Sequence, residues 1–255
     1  MSEYSTILVD EQGAIGRITL NRPDKRNPIG PSTCGELVAA LGRLKTNADI
    51  HVVVLTGAGA VFSAGGDLSA MQGVAGGPSA TLVELFTTMH EMGKPIIAMV
   101  NGHALAGGLG LMVACDLVIA ADNAQFGTTE IAVGLWPMMI TAEITRSVGR
   151  KKTLEMMMTG RKLTAAEAVE CGLVNRAVPS AELEAETMKL ANEIAERSPA
   201  ALRLGLHAFY RSQDMELEPQ LRFLQAELGR VLALEDAAEG IAAFLGKRKP
   251  VWKGR

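Results

Sequence analysis

The segment that decides the fold is PIIAMVNGHALAGGLG, residues Pro95–Gly110. It opens with a continuous aliphatic run, which is typical of a strand buried on both faces. A glycine-rich turn follows and leads into the apolar helical stretch LGLMVAC. Glycine lets a backbone approach a ligand closely, and a helix N-terminus offers unpaired N–H groups with partial positive charge. The segment therefore predicts a strand, a turn and a helix, with N–H groups able to stabilise a developing oxyanion.

A second glycine-rich turn lies in VFSAGGDL (Val61–Leu68), soon after the aliphatic run IHVVVL (Ile50–Leu55). A third aliphatic run is LVIAA (Leu117–Ala121), and helical patterns fill the intervals between the runs. This alternation predicts an α/β fold. Neither turn contains G-x-G-x-x-G or the P-loop pattern, so dinucleotide and nucleotide binding are poorly supported. Taken alone, each segment is more often an ordinary tight turn.

The composition narrows the class of protein. With 255 residues, of which 48% are hydrophobic and 21% charged, we expect a globular chain with one main domain and a smaller appendage. The net charge of -3 gives no reason to expect nucleic acid or an anionic membrane as partner. Three separated cysteines and four histidines without HxxxH or HExxH spacing predict free thiols and no metal site. No signal peptide or membrane span is recognisable, so the cytoplasm is the expected location.

Helix signals fill the C-terminal part of the chain. After about residue 180 the pattern is amphipathic helix, and Ser198 followed by Pro199 marks a helix start. We expect a main domain over residues 1–198 and a helical region over residues 199–255 that is too thin to bury its own core. Two helix starts upstream match the T-x-x-E capping box, Thr33 with Glu36 and Thr164 with Glu167.

Five dispersed segments resemble, in order and spacing, the motifs of the crotonase family of enoyl-CoA hydratases and isomerases. They are LNRPDKRNPI (Leu20–Ile29), VFSAGGDL (Val61–Leu68), VNGHALAGG (Val100–Gly108), CDLVIAADNAQFGTTEI (Cys115–Ile131) and AAFLGKRKPVWKG (Ala242–Gly254). The resemblance implies a crotonase-like α/β spiral of ββα units with a C-terminal helical region that forms trimers, often paired as hexamers. The implied substrate is an acyl-CoA thioester, so coenzyme A enters with the substrate and no separate cofactor is expected.

The resemblance also implies binding roles for individual residues. The N–H groups of Gly66 and Gly107 would form the oxyanion hole that binds the thioester oxygen. The CoA nucleotide would lie along residues 24–29 and the 64–68 backbone, and a neighbouring subunit could complete the site. The CoA-binding residues implied in this way are Lys25, Arg26, Ala64, Leu68, Phe244 and Lys247. For Lys25, Arg26 and Lys247, a solvated surface charge is an equally good interpretation.

One carboxylate is present and another is absent. Hydratases of this family usually carry two glutamates, and the two corresponding positions here are Gly110 and Glu130. A single carboxylate suits the shuttling of one proton between two carbons, which is the 3-enoyl to 2-enoyl isomerisation. Addition of water to a 2-enoyl-CoA remains the alternative, with a second acid from elsewhere. If Glu130 faces a dry acyl pocket, burial should raise its pKa toward neutrality.

The residues that would contact the acyl group of the substrate are less well defined by the sequence. Trp136 and Met138 are predicted to line the acyl pocket, and the bulk of Met138 and Met139 would narrow or dry the region that glycines occupy in many hydratases. The segment Ala70–Leu85 is expected to cover the acyl group. The carboxylates that could replace the absent acid are Asp67, Glu84, Glu91 and Glu143.

Three other functions stay open. Ser63 could act as a hydrolase nucleophile, although Val61 stands where the elbow motif G-x-S-x-G requires glycine. Glu130 could instead activate water for thioester hydrolysis. Loss of one glutamate is also compatible with a non-catalytic CoA-binding or RNA-binding protein, and the absence of a basic-aromatic patch disfavours RNA.

Overall fold

The structure is a computed structural model and describes residues 4–67 and 80–255. Ten strands lie in these residues: β1 (Ile7–Gln12), β2 (Ile15–Leu20), β3 (Val52–Gly57), β4 (Val61–Ser63), β5 (Ile96–Val100), β6 (His103–Leu105), β7 (Leu117–Ala121), β8 (Gln125–Gly127), β9 (Leu163–Thr164) and β10 (Arg176–Val178). The three aliphatic runs of the sequence correspond to β3, β5 and β7. They form strands because β-branched and aliphatic side chains fill both faces of a covered sheet.

Ten α-helices lie in the same described residues: α1 (Pro31–Thr46), α2 (Leu82–His90), α3 (Gly107–Val113), α4 (Met138–Val148), α5 (Arg150–Thr159), α6 (Ala165–Glu170), α7 (Leu183–Ala195), α8 (Pro199–Ser212), α9 (Leu217–Leu232) and α10 (Glu235–Leu245). Two short 3₁₀ helices cover Pro23–Lys25 and Glu130–Val133. Most of the segment expected to cover the acyl group lies outside the described residues, and α2 begins near its end.

The strands form two sheets that share one repeating unit. The larger sheet has the order β1-β2-β3-β5-β7-β10, and its neighbours are parallel except for β1 and β2. The smaller sheet has the order β4-β6-β8-β9. Three times in succession a strand of the larger sheet is followed by a short strand of the smaller sheet and then by a helix: β3-β4-α2, β5-β6-α3 and β7-β8-α4. The predicted α/β fold of ββα units is confirmed.

The larger sheet separates two apolar layers. Side chains alternate across a strand, so Val53 and Leu55 of β3 face α1, α2 and α3, while Val52 and Val54 face α7. All six residues of β3 are buried. This double coverage explains why the run reads as continuously apolar rather than alternating.

One of the two predicted capping boxes is present. Thr164 accepts a hydrogen bond from the Glu167 N–H, and the Glu167 carboxylate accepts one from the Thr164 N–H. The prediction for Thr33 and Glu36 is wrong, because α1 already begins at Pro31 and Glu36 lies inside it. The buried Glu36 carboxylate instead accepts four hydrogen bonds from the N-terminal segment, two from Ser5 and two from Thr6.

The C-terminal part is helical, and α8 begins at Pro199 with the Ser198 hydroxyl accepting from the Ala201 N–H, as predicted. Helix α9, all of whose residues are described, buries none of them. Its leucines 217, 221, 224, 228 and 232 follow one face and are all exposed. In the described part of the chain, no helix is long and apolar enough to cross a membrane.

Candidate active site

Three adjacent parallel strands of the smaller sheet end at one edge, and a predicted site residue follows each of them. Ser63 in β4 pairs with Ala104 in β6, and Leu105 in β6 pairs with Gly127 in β8. Gly66, Gly107 and Glu130 come two to three residues after the ends of these strands. The carboxyl edge of parallel strands is where α/β proteins usually bind their ligands. The topology therefore brings the three residues to a common edge although 64 positions separate the first from the last.

The two predicted oxyanion donors are close in space. A Cβ atom built on Gly107 would lie 3.6 Å from the Gly66 nitrogen. Gly107 is the first residue of α3, so its N–H has no acceptor within the helix. Ile29 pairs with Gly66 through the neighbouring residues 65 and 67, which leaves the Gly66 N–H outside that pairing. Among hydrogen bonds of the described residues, neither N–H donates to a protein acceptor. Both N–H groups are therefore available to a ligand oxygen.

The backbone that carries these donors is unusual. Gly65 has φ of 114°, and a Cβ atom there would lie 2.7 Å from the Ala106 Cβ. Ala106 itself has φ of 50° and ψ of -129°, which is costly for a residue other than glycine. Its N–H donates to the Gly127 carbonyl at 2.8 Å, which holds it in place. The two turns are thus packed directly on each other, and their contact fixes the distance between the two donors.

The loop that precedes α1 is joined to the first glycine turn. Its Arg26 carbonyl accepts from the Ala64 N–H at 2.9 Å, and Arg22 forms an ion pair with Asp67 at 2.8 Å. Lys25 and Arg26 are exposed beside this junction, where the resemblance expects phosphates of CoA. Leu68, predicted to bind CoA, lies outside the described residues.

Asn27 was missed by the sequence analysis and holds this loop together. It is buried with φ of 53°, its Nδ2 donates to the carbonyls of Ala58, Val61 and Phe62, and its Oδ1 accepts from the Arg22 N–H. Asparagine tolerates the left-handed region better than most residues. The asparagine that ends the NRPDKRN segment could therefore have indicated a left-handed backbone at position 27.

Glu130 opens the short 3₁₀ helix that follows β8. Its Oε2 atom is buried and has no hydrogen-bond partner among the described residues. Burial raises the pKa of Glu130 above its usual range, and a backbone hydrogen bond opposes this only in part. The carboxyl group is thus poised to take up a proton, as a general base must.

The position of the absent carboxylate is filled by an apolar side chain. A Cβ atom on Gly110 would lie 2.7 Å from the Cβ of Ile140, closer still to its Cγ2, and 3.3 Å from Cζ of Phe86. Ile140 is 2% exposed and packs from α4 onto α3. Met138 and Met139, which were expected to narrow or dry this region, are exposed instead. Ile140 is the residue that the analysis missed, because its contact with Gly110 is tertiary.

The predicted acyl-pocket residues lie in an exposed apolar segment that begins next to Glu130. Trp136 is 37% exposed and Met138 68% exposed, and the neighbouring Val133 and Leu135 are exposed as well. The structure places this segment on the surface near Glu130. It is compatible with contact to an apolar substrate or to another chain.

The four carboxylates considered as a second acid have other roles or positions. Asp67 pairs with Arg22, Glu84 forms the capping box of α2 with Thr81, and Glu143 pairs with His90 at 3.2 Å. The remaining candidate, Glu91, is exposed just after α2.

Ser63 is fully buried, and its hydroxyl donates to the Asn27 carbonyl at 2.7 Å. That hydroxyl is not free to act as a nucleophile, which argues against a serine hydrolase. Within residues 4–67 and 80–255, no three His, Cys, Asp or Glu side chains are grouped as metal ligands.

The two C-terminal residues predicted to bind CoA lie on or just after α10, which packs on α8 and α9. Phe244 is 82% exposed, and Lys247 is exposed with φ of 49°. Their predicted role requires a second chain and stays a prediction.

Comparison with known proteins agrees with this geometry. The family model described as enoyl-CoA hydratase/isomerase matches residues 10–255. A probable enoyl-CoA hydratase of Rhizobium meliloti (strain 1021) is 38% identical over 99% of both chains, and the 2,3-dehydroadipyl-CoA hydratase of Escherichia coli (strain K12) is 37% identical over 98% of this chain and all of its own. A crystal structure of an enoyl-CoA hydratase subunit from Geobacillus kaustophilus HTA426 superposes with a TM-score of 0.91 at 36% identity over the whole of both chains. Two neighbouring turns with N–H groups that bond to no described protein acceptor, a carboxyl group with one buried oxygen at the same strand edge and a family match over almost the whole sequence lead to one conclusion: the chain belongs to the enoyl-CoA hydratase/isomerase family of the crotonase superfamily and is an enzyme that acts on acyl-CoA thioesters.

Proposed function

We propose that this enzyme isomerises 3-enoyl-CoA to 2-enoyl-CoA, with Glu130 as its only acid–base group. The observation that carries the proposal is the packing of Ile140 against Gly110. Because that space holds a methyl-bearing side chain, a second carboxylate cannot enter it without displacement of Ile140. The buried oxygen of Glu130, which has no partner among the described residues, supports its role as the proton carrier.

The chemistry needs only the groups at this edge. Glu130 removes a proton from C2, the electron pair of the broken C–H bond forms a C1=C2 bond, and the π electrons of the C=O bond move to the thioester oxygen. The N–H groups of Gly66 and Gly107 stabilise the resulting enolate. The pair on oxygen then re-forms the C=O bond, the C1=C2 pair becomes the C2=C3 bond, and the electrons of the former C3=C4 bond take the same proton from Glu130 at C4. No water or cofactor is consumed.

The test is direct, because only the 2-enoyl thioester is conjugated and absorbs strongly in the ultraviolet. A 3-enoyl-CoA should gain this absorbance with the purified enzyme, whereas a 2-enoyl-CoA should lose it only slowly by hydration. Glu130→Gln should lower kcat for isomerisation by about 10²–10⁴-fold or more, with similar affinity for CoA thioesters. Glu143→Gln is the matched control, because this carboxylate is engaged with His90. Near-normal turnover by Glu130→Gln contradicts the assignment.

Hydration of a 2-enoyl-CoA is the second candidate. It is favoured by the names of the relatives, among them the 2,3-dehydroadipyl-CoA hydratase of Escherichia coli. Hydration requires an ordered water near C3, and the side chains packed at Gly110 are apolar. Faster loss of the 2-enoyl absorbance than gain from the 3-enoyl substrate would make hydration the main activity.

We further propose that the chain forms trimers, alone or paired as hexamers, through α9 and α10. A sixteen-residue helix without a buried residue, with five leucines along one face, is expected to be covered by another chain. The nearby Phe244 would then approach the CoA site of a neighbouring subunit. Light scattering of the purified protein measures the number of chains directly.

A further inference from the structure

The Ser63 hydroxyl connects the loop expected to bind CoA with both oxyanion donors. It donates to the carbonyl of Asn27 at 2.7 Å and accepts from the N–H of Gly65 at 3.2 Å. The first bond reaches the loop that precedes α1. The second holds the Ala64–Gly65 peptide, which lies one peptide unit before the Gly66 N–H.

The same side chain also packs against Gly108, the residue after the second donor. A Cβ atom on Gly108 would lie 2.5 Å from both the Cβ and the Oγ of Ser63. Gly108 directly follows Gly107, so Ser63 packs against the first turn of α3. The side chain is fully buried among these three segments.

The loop on the Asn27 side holds a conformation that is unfavourable on its own. Arg26 and Asn27 both have positive φ, at 61° and 53°. Neither is glycine, so the surrounding contacts must maintain this backbone. Binding of an anion at the exposed Lys25 and Arg26 would stabilise the same backbone. The position of the Asn27 carbonyl, which accepts from Ser63, would then be held more firmly.

We propose that Ser63 is a positioning residue, which transmits occupation of the residue 22–29 loop by the CoA nucleotide to the spacing of the Gly66 and Gly107 N–H groups. This inference rests on the proposed activity on CoA thioesters. Binding energy from the part of the substrate that does not react is then used to align the donors for the transition state. A small misplacement of such groups is costly, because their stabilisation depends on geometry.

The experiment compares two substrates, an enoyl-CoA and the matching enoyl-pantetheine thioester, which lacks the nucleotide. In the wild-type enzyme kcat should be higher with the CoA thioester. Ser63→Ala should lower kcat with the CoA thioester by about 10- to 100-fold and lower the pantetheine value by a much smaller factor. The ratio of the two kcat values should fall towards one. An equal loss with both substrates is the result of a merely structural role and would overturn the inference.

Ser198→Ala is the matched control. Ser198 is also buried, its hydroxyl also donates once and accepts once, and it lies at the start of α8. Its variant should keep the wild-type ratio of kcat values, whatever its stability.

A second measurement needs no variant and covers the case in which Ser63→Ala fails to fold. Adenosine 3′,5′-bisphosphate, added with the pantetheine substrate, should raise kcat of the wild-type enzyme. No increase at saturating nucleotide, or equal kcat for the two substrates, overturns the inference while leaving the proposed function intact. A wild-type enzyme that converts neither thioester contradicts the proposed function instead.

Discussion

Gly110→Ala is the substitution that tests the packing on which the proposed reaction depends. In the interior of a helix, replacement of glycine by alanine usually stabilises a protein by about 1 kcal/mol. Here the added methyl group would meet the Ile140 Cβ at 2.7 Å, well inside the usual contact distance of about 3.5–4.0 Å. Overpacking of a buried site costs about 1–3 kcal/mol or more. We expect Gly110→Ala to be destabilised by about 2 kcal/mol, since the overlap with Ile140 outweighs the gain in helix propensity.

Gly42→Ala provides the matched control. Gly42 also lies inside a helix, α1, and a Cβ atom there would meet nothing within 4 Å. It should show the ordinary gain of about 1 kcal/mol, so the two variants should differ by about 3 kcal/mol in the free energy of unfolding. Urea denaturation monitored by circular dichroism measures both.

Ile140→Ala completes a double-mutant cycle. Alone it should cost about 2–5 kcal/mol, because it leaves a cavity. That variant removes the Cγ2 atom of Ile140, which is the nearest to the new methyl group, but keeps its Cβ, so the penalty of Gly110→Ala should fall without vanishing, with a coupling energy of about 1–2 kcal/mol. If Gly110→Ala is as stable as Gly42→Ala, or if its penalty is the same with and without Ile140, the packing argument is refuted.

The same pair of positions tests the chemistry. Gly110→Glu alone should destabilise the fold rather than produce a hydratase, because the carboxylate has no space. Combined with Ile140→Ala, it should raise the rate of hydration relative to isomerisation, as measured with the 2-enoyl and 3-enoyl substrates. A folded double variant without this gain would mean that the absent carboxylate is not what limits hydration.

Three further predictions concern other parts of the molecule. Because burial raises the pKa of Glu130 and a base must be ionised, kcat should rise with pH through a pKa above the usual glutamate range, and Glu130→Gln should lack this limb of the profile. Burial alone would raise the pKa of Glu36, but the four hydrogen bonds that its carboxylate accepts lower this pKa. The ionised carboxylate therefore stabilises the fold at neutral pH, and this stabilisation is lost as the pH falls through the lowered pKa. Glu36→Ala should cost about 3 kcal/mol in the free energy of unfolding, measured by denaturation at pH 7. Leu221→Glu with Leu228→Glu should yield smaller assemblies by light scattering, and unchanged trimers would contradict the proposed interface.

Much of the larger sheet could be predicted from the sequence, because strands buried on both faces appear as continuous aliphatic runs. The strands β4, β6 and β8 have only three residues each, which is too short for a periodic pattern. The segments that contain β4 and β6 were predicted as glycine-rich turns, and short strands there were implied only by the resemblance to folds of ββα units. The capping box at Thr33 failed because Pro31 starts α1 two residues earlier and the Glu36 carboxylate binds the N-terminal segment. At this position a tertiary contact of Glu36, and not the local capping motif, determines the structure.

The residues of the candidate site also differ in whether the local sequence gives a signal for them. Gly66, Gly107 and Glu130 could be predicted because each belongs to a motif within a short stretch of sequence. Asn27 left a local signal, whereas Ile140 left none, since it meets Gly110 only when α4 packs on α3. What the motifs could not reveal is therefore which side chains fill the space beside Gly110.

That space, more than the oxyanion hole, separates the candidate reactions. Both isomerisation and hydration proceed through negative charge on the thioester oxygen, so two N–H donors serve either equally well. Water must also be held at C3 for hydration, and a water molecule needs polar partners to remain in a buried site. The groups that meet at Gly110 are a methyl group and an aromatic ring edge. A single substitution at Gly110 cannot change this, because the space for a carboxylate is absent until Ile140 is also replaced. For the proposed isomerisation, the choice of reaction is thus expected to depend on a pair of residues on two packed helices, and the role proposed for Glu130 depends on what surrounds it.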